Sequence, residues 1–461
     1  MFSNKNGGLL ATLPDLAWGL VAVLAAGLLA VTIVRYLPRG LRLMRAGAFE
    51  RYVLKASWKA KREWKHLAIA LGLSYTDPRT VGKTDTQGRA LKPQQRFPLI
   101  KVMPQPYGLL ARVATIPKVG LKQLDAASQH IADAWGCETV EVKQLDPKWV
   151  ELKGLMRDPL SEAFAANYTL DAHWRLYLGK DPWGNDLWIP LKELSGIKMA
   201  GMPGYGKTML LSGWAAKLSQ SSLVQFVIFD GKTRDPQYGD WGYFANRAVI
   251  LVGDNPEDAN KALTKVVEYI KTRQESLHAE RGTHKFWKHG PSLINPLMLV
   301  ILDECHNYTD SAGLRGGPKE LIEANQRLCR TLAKEGRGLG VIGIFATQKQ
   351  TGDAIPTAVR DLLEVGVSFA TATMDGAEAA LGSGIRKDEA NDPTAMIDKE
   401  RFVGIAVAGG VPGRRGYTRF RTETHDEDDL IDLVFLSSHL RRDVFNPGGL
   451  HQVTDRDQRA G

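Results

Sequence analysis

Residues 201–208 read GMPGYGKT. Gly201, Gly206, Lys207 and Thr208 fit G-x-x-x-x-G-K-[ST], a loop whose glycines let backbone N–H groups close around phosphates. The flanks agree with the motif. IKMAG just before it has strand composition, and MLLSGWAAKLSQ just after it reads as a helix. Strand, glycine turn and helix N-terminus together make an anion site, because the helix dipole adds to the converging donors. Gly201, Gly204, Gly206 and the first helical residues through Met209 form the expected cradle. Lys207 is placed to reach the β/γ-phosphates, and Thr208 to hold Mg²⁺ through its hydroxyl. The expected cofactors are therefore ATP and Mg²⁺. The bland alternative, a glycine turn with a chance Lys-Thr, leaves the flanking strand and helix unexplained.

A second stretch supports this. LMLVILDE, residues 297–304, is an apolar run that ends in two carboxylates. A buried strand ending in acids delivers them to the carboxyl edge of the sheet, where open α/β folds bind ligands. Asp303 is the expected partner of the metal, and Glu304 the group that polarises an attacking water. IFATQ ends a third strand with Thr347 and Gln348, and a polar amide there can sense the γ-phosphate or orient water. FDGK, residues 229–232, closes the strand after the P-loop helix. Asp230 and Lys232 face either the nucleotide or a polymer track, or simply form a turn.

The wider pattern fixes the class. From about residue 165 apolar strands alternate with helices: VQFVIFD, AVILVG, a helix across 256–281, LMLVILDE, a helix across 319–336, VIGIFATQ and VGVSFATA. That alternation predicts an α/β P-loop NTPase of RecA-like type, with a mostly parallel sheet covered on both faces. The motor is expected over 165–440 and a flexible tail over 441–461. Residues 96–160 read as a small α+β accessory domain, with FPLIKVMP, LLARVATIP and TVEVKQL as strands and LKQLDAASQHIADAWG as helix. Residues 46–95 read as a basic helix, lying on a leaflet or joining a small domain, then a polar, turn-rich linker.

The N-terminus carries a different signal. LAWGLVAVLAAGLLAVTIV, residues 16–34, is uncharged and long enough to cross a bilayer. Arg35, Arg39, Arg42 and Arg45 follow it and only Lys5 is basic before it, so the bulk of the chain is expected in the cytoplasm. A cleaved signal peptide would carry its charge on the other side. One N-terminal membrane anchor, residues 1–45, is the expectation.

Composition is compatible with both ends of this plan. The 461 residues are 44% hydrophobic with a net charge of +9, enough apolar content for packed cores and a balance that suits polyanions. Three dispersed cysteines, Cys137, Cys305 and Cys329, build neither a disulfide framework nor a zinc site.

The motor segment resembles the FtsK/SpoIIIE family of hexameric double-stranded DNA translocases, within the wider FtsK–HerA group. The carriers are GMPGYGKT, FDGKTRDP, LVILDECHNY and above all RTLAKEGRGLGVIGIFATQKQ, where a Gly-Arg-x-x-Gly helix end precedes the glutamine strand. DGAEAALGSG and VPGRRGYTRFRTETHDEDDL echo later family segments. The resemblance implies a homo-oligomeric ring, a hexamer, around duplex DNA. It gives Lys207, Thr208, Asp303, Glu304 and Gln348 the roles argued above, and makes Arg337 a candidate to reach a neighbouring subunit's nucleotide. The chain departs from the family at VGVSFATAT, where Gly366 and Ala370 stand in place of basic residues, so Arg337 and Arg360 are the candidate trans-acting arginines. The segment after residue 430 is too short for the winged helix that reads chromosome orientation. The single-anchor plan looks more like the FtsK-like proteins that transfer double-stranded DNA in actinobacterial conjugative elements. Lys232, Arg234 and Lys349 are candidates to line a channel. Two other classes remain in play: a coupling ATPase of a secretion system moving protein or single-stranded DNA, and a membrane adaptor that uses nucleotide only as a switch.

Overall fold

The computed structural model describes residues 44–349, 351 and 355–446 of the chain. The expected membrane-crossing segment at 16–34 lies outside the described residues. Among the described residues no helix is long and apolar enough to cross a membrane. The chain divides into two compact units, residues 1–158 and 159–461.

The first unit is built on the helix Ala48–Ala70 and an antiparallel sheet. Its short strands β1 (Tyr75–Thr76) and β2 (Gln95–Arg96) pair with each other. Strands β3 (Ile100–Gln105), β4 (Gly108–Ala114), β5 (Thr139–Asp146) and β6 (Trp149–Leu155) form a sheet in the order β3-β4-β6-β5. The helix buries Val53, Ser57, Ala60, Trp64 and Ala68, a stripe at three- and four-residue spacing. That stripe packs into one core with Leu109, Ala111 and Val113 of β4, Val150 and Leu152 of β6, and Ile131 and Trp135 of the helix Ser128–Trp135. The Trp64 indole N–H donates to the Pro98 carbonyl at 2.7 Å. The basic helix therefore joins the α+β unit, and its Lys and Arg residues face outward.

The second unit is a ten-stranded sheet. Its strands are β7 (Arg175–Lys180), β8 (Asp186–Pro190), β9 (Gly196–Ala200), β10 (Val224–Asp230), β11 (Ile250–Val252), β12 (Leu297–Asp303), β13 (Val341–Thr347), β14 (Val365–Ser368), β15 (Ile405–Gly409) and β16 (Tyr417–Arg421). Their order is β11-β10-β12-β13-β9-β14-β15-β16-β7-β8. The six strands from β11 to β14 run parallel, and the other four extend the sheet antiparallel. This antiparallel extension is a feature that strand–helix alternation did not announce.

Every residue of β10, β12 and β13 is buried, as strands covered on both faces require. Successive side chains divide between two cores by the two-residue period of a strand. Phe226, Ile228, Leu299 and Ile301 join the helix Lys207–Ser219 on one face. Val227, Phe229, Val300 and Leu302 join the helices Pro256–Arg281 and Gly316–Glu335 on the other. In the expected tail Val444 is buried and Phe445 stacks edge-on against Tyr269, while residues 447–461 lie outside the described residues.

Register places the chemistry. Asp230 lies level with Asp303, and Thr347 level with Ala200, at the carboxyl edge of the parallel strands. β13 separates the P-loop strand β9 from the acidic strand β12, so residues that follow β13 emerge between loop and acids.

Candidate nucleotide site

The P-loop leaves β9 and enters the helix Lys207–Ser219. Gly206, at φ 107°, holds a left-handed conformation that a side chain would strain. The first N–H groups of the helix, from Lys207 to Met209, have no partner one turn back and present the donors that an anion meets. Met209 itself keeps a partly exposed side chain, so its contribution to the cradle is its main chain.

Lys207 is buried, and its ammonium donates to Asp303 Oδ1 at 2.7 Å and to Glu304 Oε1 at 3.0 Å. Thr208 Oγ1 donates to Asp303 Oδ2 at 3.3 Å. Two adjacent pairs, Lys207-Thr208 and Asp303-Glu304, which the sequence separates by almost a hundred positions, thus meet in one cluster. Asp303 is completely buried. Burial alone raises its pKa, but Lys207 and Lys232 outweigh burial and hold the carboxyl at about 2.

Glu304 has φ 62°, a strained value for a residue with a side chain. The twist turns its carboxylate toward the end of β13. There the Gln348 backbone N–H donates to Oε2 at 2.9 Å. His306 Nδ1 lies 3.3 Å from the same oxygen and 3.2 Å from Thr347 Oγ1. Burial raises the Glu304 pKa, but the His306 contact, Lys207 and the Gln348 N–H together lower it below the ordinary value. The acid next to Glu304 needs room for this turn. A Cβ on Gly231 would meet the Asp303 and Glu304 carbonyl oxygens at 2.9 Å each, so only glycine lets the β10 end pass beside it.

Lys232 completes the cluster. Its ammonium donates to Thr208 Oγ1 at 2.8 Å, Asp240 Oδ2 at 2.8 Å and Asp303 Oδ2 at 3.1 Å. The end of FDGK thus sets Lys232 beside Thr208 and Asp303. Asp230 is buried beneath the loop, where burial raises its pKa and it accepts the N–H groups of Lys232 and Trp241. Lys349 instead pairs with Asp310 at 2.6 Å.

Three participants had no mark in the sequence. The buried Trp241 indole N–H donates to Asp303 Oδ2 at 3.3 Å. His306 contacts both Glu304 and Thr347. The Lys399 ammonium lies 3.3 Å from where a Gly204 Cβ would stand, so a third cation borders the phosphate loop. Arg337 is not brought to this site. It is exposed and precedes the amino end of β13, whereas Gln348 follows the carboxyl end. The seven-residue strand between them puts them roughly 20 Å apart.

The residues fit a divalent cation. A cation already stands between Thr208 Oγ1 and Asp303 Oδ2, the Lys232 ammonium, so the oxygens are disposed for positive charge. Among the described residues no three His, Cys, Asp or Glu side chains gather into a cage.

No family model matches the chain. Curated relatives do match it. One is the DNA translocase FtsK of Staphylococcus aureus (strain Mu50 / ATCC 700699), 23% identical over 249 residues, covering 50% of this chain and 29% of the relative. Another is the DNA translocase FtsK of Streptococcus agalactiae serotype V, 26% identical over 263 residues, 50% of this chain and 30% of the relative. Over about half its length the chain is thus similar to DNA translocases named FtsK. The match spans under a third of those FtsK proteins' own length. Among solved structures the chain is similar to the pCW3 conjugation coupling protein TcpA with ATPγS, at TM-score 0.49 and 13% identity, covering 83% of this chain and 99% of that one.

Proposed function

We propose that the chain is a membrane-anchored, ATP-driven translocase of double-stranded DNA that works as a homo-oligomeric ring, a hexamer, in conjugative transfer. The observation that carries the motor reading is the Lys207–Asp303–Glu304 cluster, with Gln348 fixed on the Glu304 carboxylate. The relatives named DNA translocase FtsK support DNA as the track, and its duplex form rests on the resemblance read in the sequence. The conjugative role and the anchor rest on the single membrane-crossing segment read in the sequence. Arg337 reaches a neighbour's nucleotide in this reading, which agrees with its exposure away from its own site.

The chemistry follows from the side chains. When phosphates enter the loop, Lys207 exchanges its two carboxylates for phosphate oxygens. That frees Glu304 Oε1, while Oε2 stays held by the Gln348 N–H. Glu304 then orients an attacking water and accepts its proton. Thr208 and Asp303 are the residues that would hold Mg²⁺, which would supply neutralisation of the phosphate charge. Because Gln348 follows β13, the nucleotide state is transmitted along a strand that crosses the middle of the sheet.

The test is ATP hydrolysis by the detergent-solubilised full chain with no polymer, with single-stranded DNA and with duplex DNA, each at two salt concentrations. Duplex stimulation that falls steeply with salt, as phosphate contacts require, supports the proposal. Hydrolysis indifferent to duplex DNA overturns it and favours coupling to protein export or to single strands. Binding without hydrolysis identifies the nucleotide-switched adaptor.

A further inference from the structure

Lys232 uses all three of its ammonium protons, and each goes to an oxygen: Thr208 Oγ1, Asp240 Oδ2 and Asp303 Oδ2. Two of these acceptors are the very atoms that fit the metal of the site. An ammonium and a divalent cation cannot share them, since like charges repel strongly at such separations. The two remaining features of Lys232 concern its way out. Its side chain is 25% exposed, and Asp240 is 52% exposed, so the third partner lies on the solvent side. Its main chain, in contrast, is fixed. Gly231 N–H donates to the Asp303 carbonyl at 2.9 Å, the Asn307 amide donates to the Gly231 carbonyl at 2.5 Å, and the Lys232 N–H donates to Asp230 Oδ1 at 3.2 Å. The residue is a flexible arm on a rigid post.

We propose that Lys232 is a displaceable stand-in for the divalent cation: its ammonium holds Thr208 and Asp303 in place before nucleotide arrives, and metal-nucleotide binding expels it outward with Asp240. The proposal rests on the reading that this site binds metal-bound ATP. Its consequence is a gate on metal occupancy. Without the metal the arm compensates Asp303 Oδ2, as Lys207 does Oδ1. With the metal, the arm leaves. Lys232 thereby reports the metal state to the loop 233–240 that follows it, whose Tyr238 is 86% exposed. Lys232 is a positioning residue in this scheme. It sets how strongly nucleotide binding depends on the metal.

The experiment measures equilibrium binding of a fluorescent ATPγS analogue to the full chain, once with excess Mg²⁺ and once with EDTA. The ratio of the two dissociation constants expresses the coupling between metal and nucleotide. In Lys232→Met the ratio rises about tenfold, because the metal no longer competes with an ammonium and metal-free nucleotide loses a nearby positive charge. Lys232→Arg keeps the wild-type ratio. A ratio unchanged or reduced in folded Lys232→Met overturns the proposal, and so does Lys232→Arg behaving like Lys232→Met. A second measurement uses the wild-type chain alone. Amine acetylation read by mass spectrometry finds Lys232 protected without ligand and with ATPγS plus EDTA, and labelled several-fold more with ATPγS plus Mg²⁺. Labelling that falls or stays constant with Mg²⁺ overturns the proposal. Failure of the underlying reading looks different: wild-type chain then binds no nucleotide under either condition, or binds it equally well after Lys207→Ala.

Discussion

The backbone N–H of Gln348 donates to Glu304 Oε2 at 2.9 Å, across two neighbouring strands of the sheet. A main-chain donor cannot rotate away as a side chain can. It fixes the carboxylate to the end of β13, and Lys207 holds the other oxygen until phosphate claims it. The glutamate is thus aimed by its own strained backbone, a strand end and a lysine.

Replacing Glu304 with Gln should separate binding from chemistry. The amide keeps the size of the side chain and an acceptor for Gln348 N–H, but it is no base. Steady-state hydrolysis is expected to fall on the order of 10²–10⁴-fold, the usual contribution of general base catalysis. Nucleotide affinity should stay within a few-fold of wild type. Lys207→Ala should instead lose both. Equal loss of affinity in the two variants would remove Glu304 from its assigned role.

Gly231→Ala tests the close passage beside the acids. The added methyl carbon meets the Asp303 and Glu304 carbonyl oxygens at 2.9 Å, tighter than real contacts allow. The strand end must shift, and with it the left-handed turn at Glu304. The expected result is a fall in kcat of about tenfold or more, since small misplacements of catalytic groups are costly. The thermal melt and nucleotide affinity should change little. A wild-type kcat would show that the turn tolerates displacement.

Much of this site was legible because motifs lie at strand ends. The glycine spacing, the strand before it and the apolar run closing in Asp303-Glu304 are local patterns, and local patterns survive in sequence. Contacts made across the sheet do not. Trp241 and His306 reach the site only because β10, β12 and β13 are neighbours in register, and no spacing encodes that or chooses among the readings left open for Lys232. The antiparallel strands β7 and β8 escaped for another reason: their partly exposed faces leave them without the apolar runs that mark doubly covered strands, while β15 is wholly buried but only five residues long. The basic helix 48–70 was ambiguous in principle. An apolar stripe on a charged helix reads the same whether it meets lipid or the sheet of its own unit.

Acid should weaken the folded motor in part through Asp303. Its folded pKa of about 2 lies below the ordinary 3.8, so the ionised form is the one folding favours. Its contribution is therefore fully present above the unfolded value and is lost as pH falls through the folded one. A shift of that size corresponds to about 2 kcal/mol at neutral pH. Denaturant unfolding of the second unit, followed between pH 5 and pH 2.5, should lose part of this stability in the wild type. Asp303→Asn should start lower at pH 5 and show a shallower pH dependence. Parallel curves would mean that other carboxylates carry the acid sensitivity.

The last test concerns the first unit. Trp64 is 2% exposed, packs near Trp135 with ring centres 6.3 Å apart, and donates its indole N–H to Pro98. Truncating it to Ala removes a large apolar surface and leaves the Pro98 carbonyl without that donor. Large aromatic truncations in cores cost about 3–5 kcal/mol. The two units have separate cores, so the loss should fall on one of them. In the detergent-solubilised full chain, Trp64→Ala should lower the melting transition of the first unit by many degrees and leave the nucleotide affinity of the second unchanged. Phe substitution should recover most of the packing and none of the hydrogen bond, giving an intermediate transition. If Trp64→Ala melts like the wild type, the helix 48–70 does not belong to that core, and a surface resting place for its apolar stripe becomes the better account.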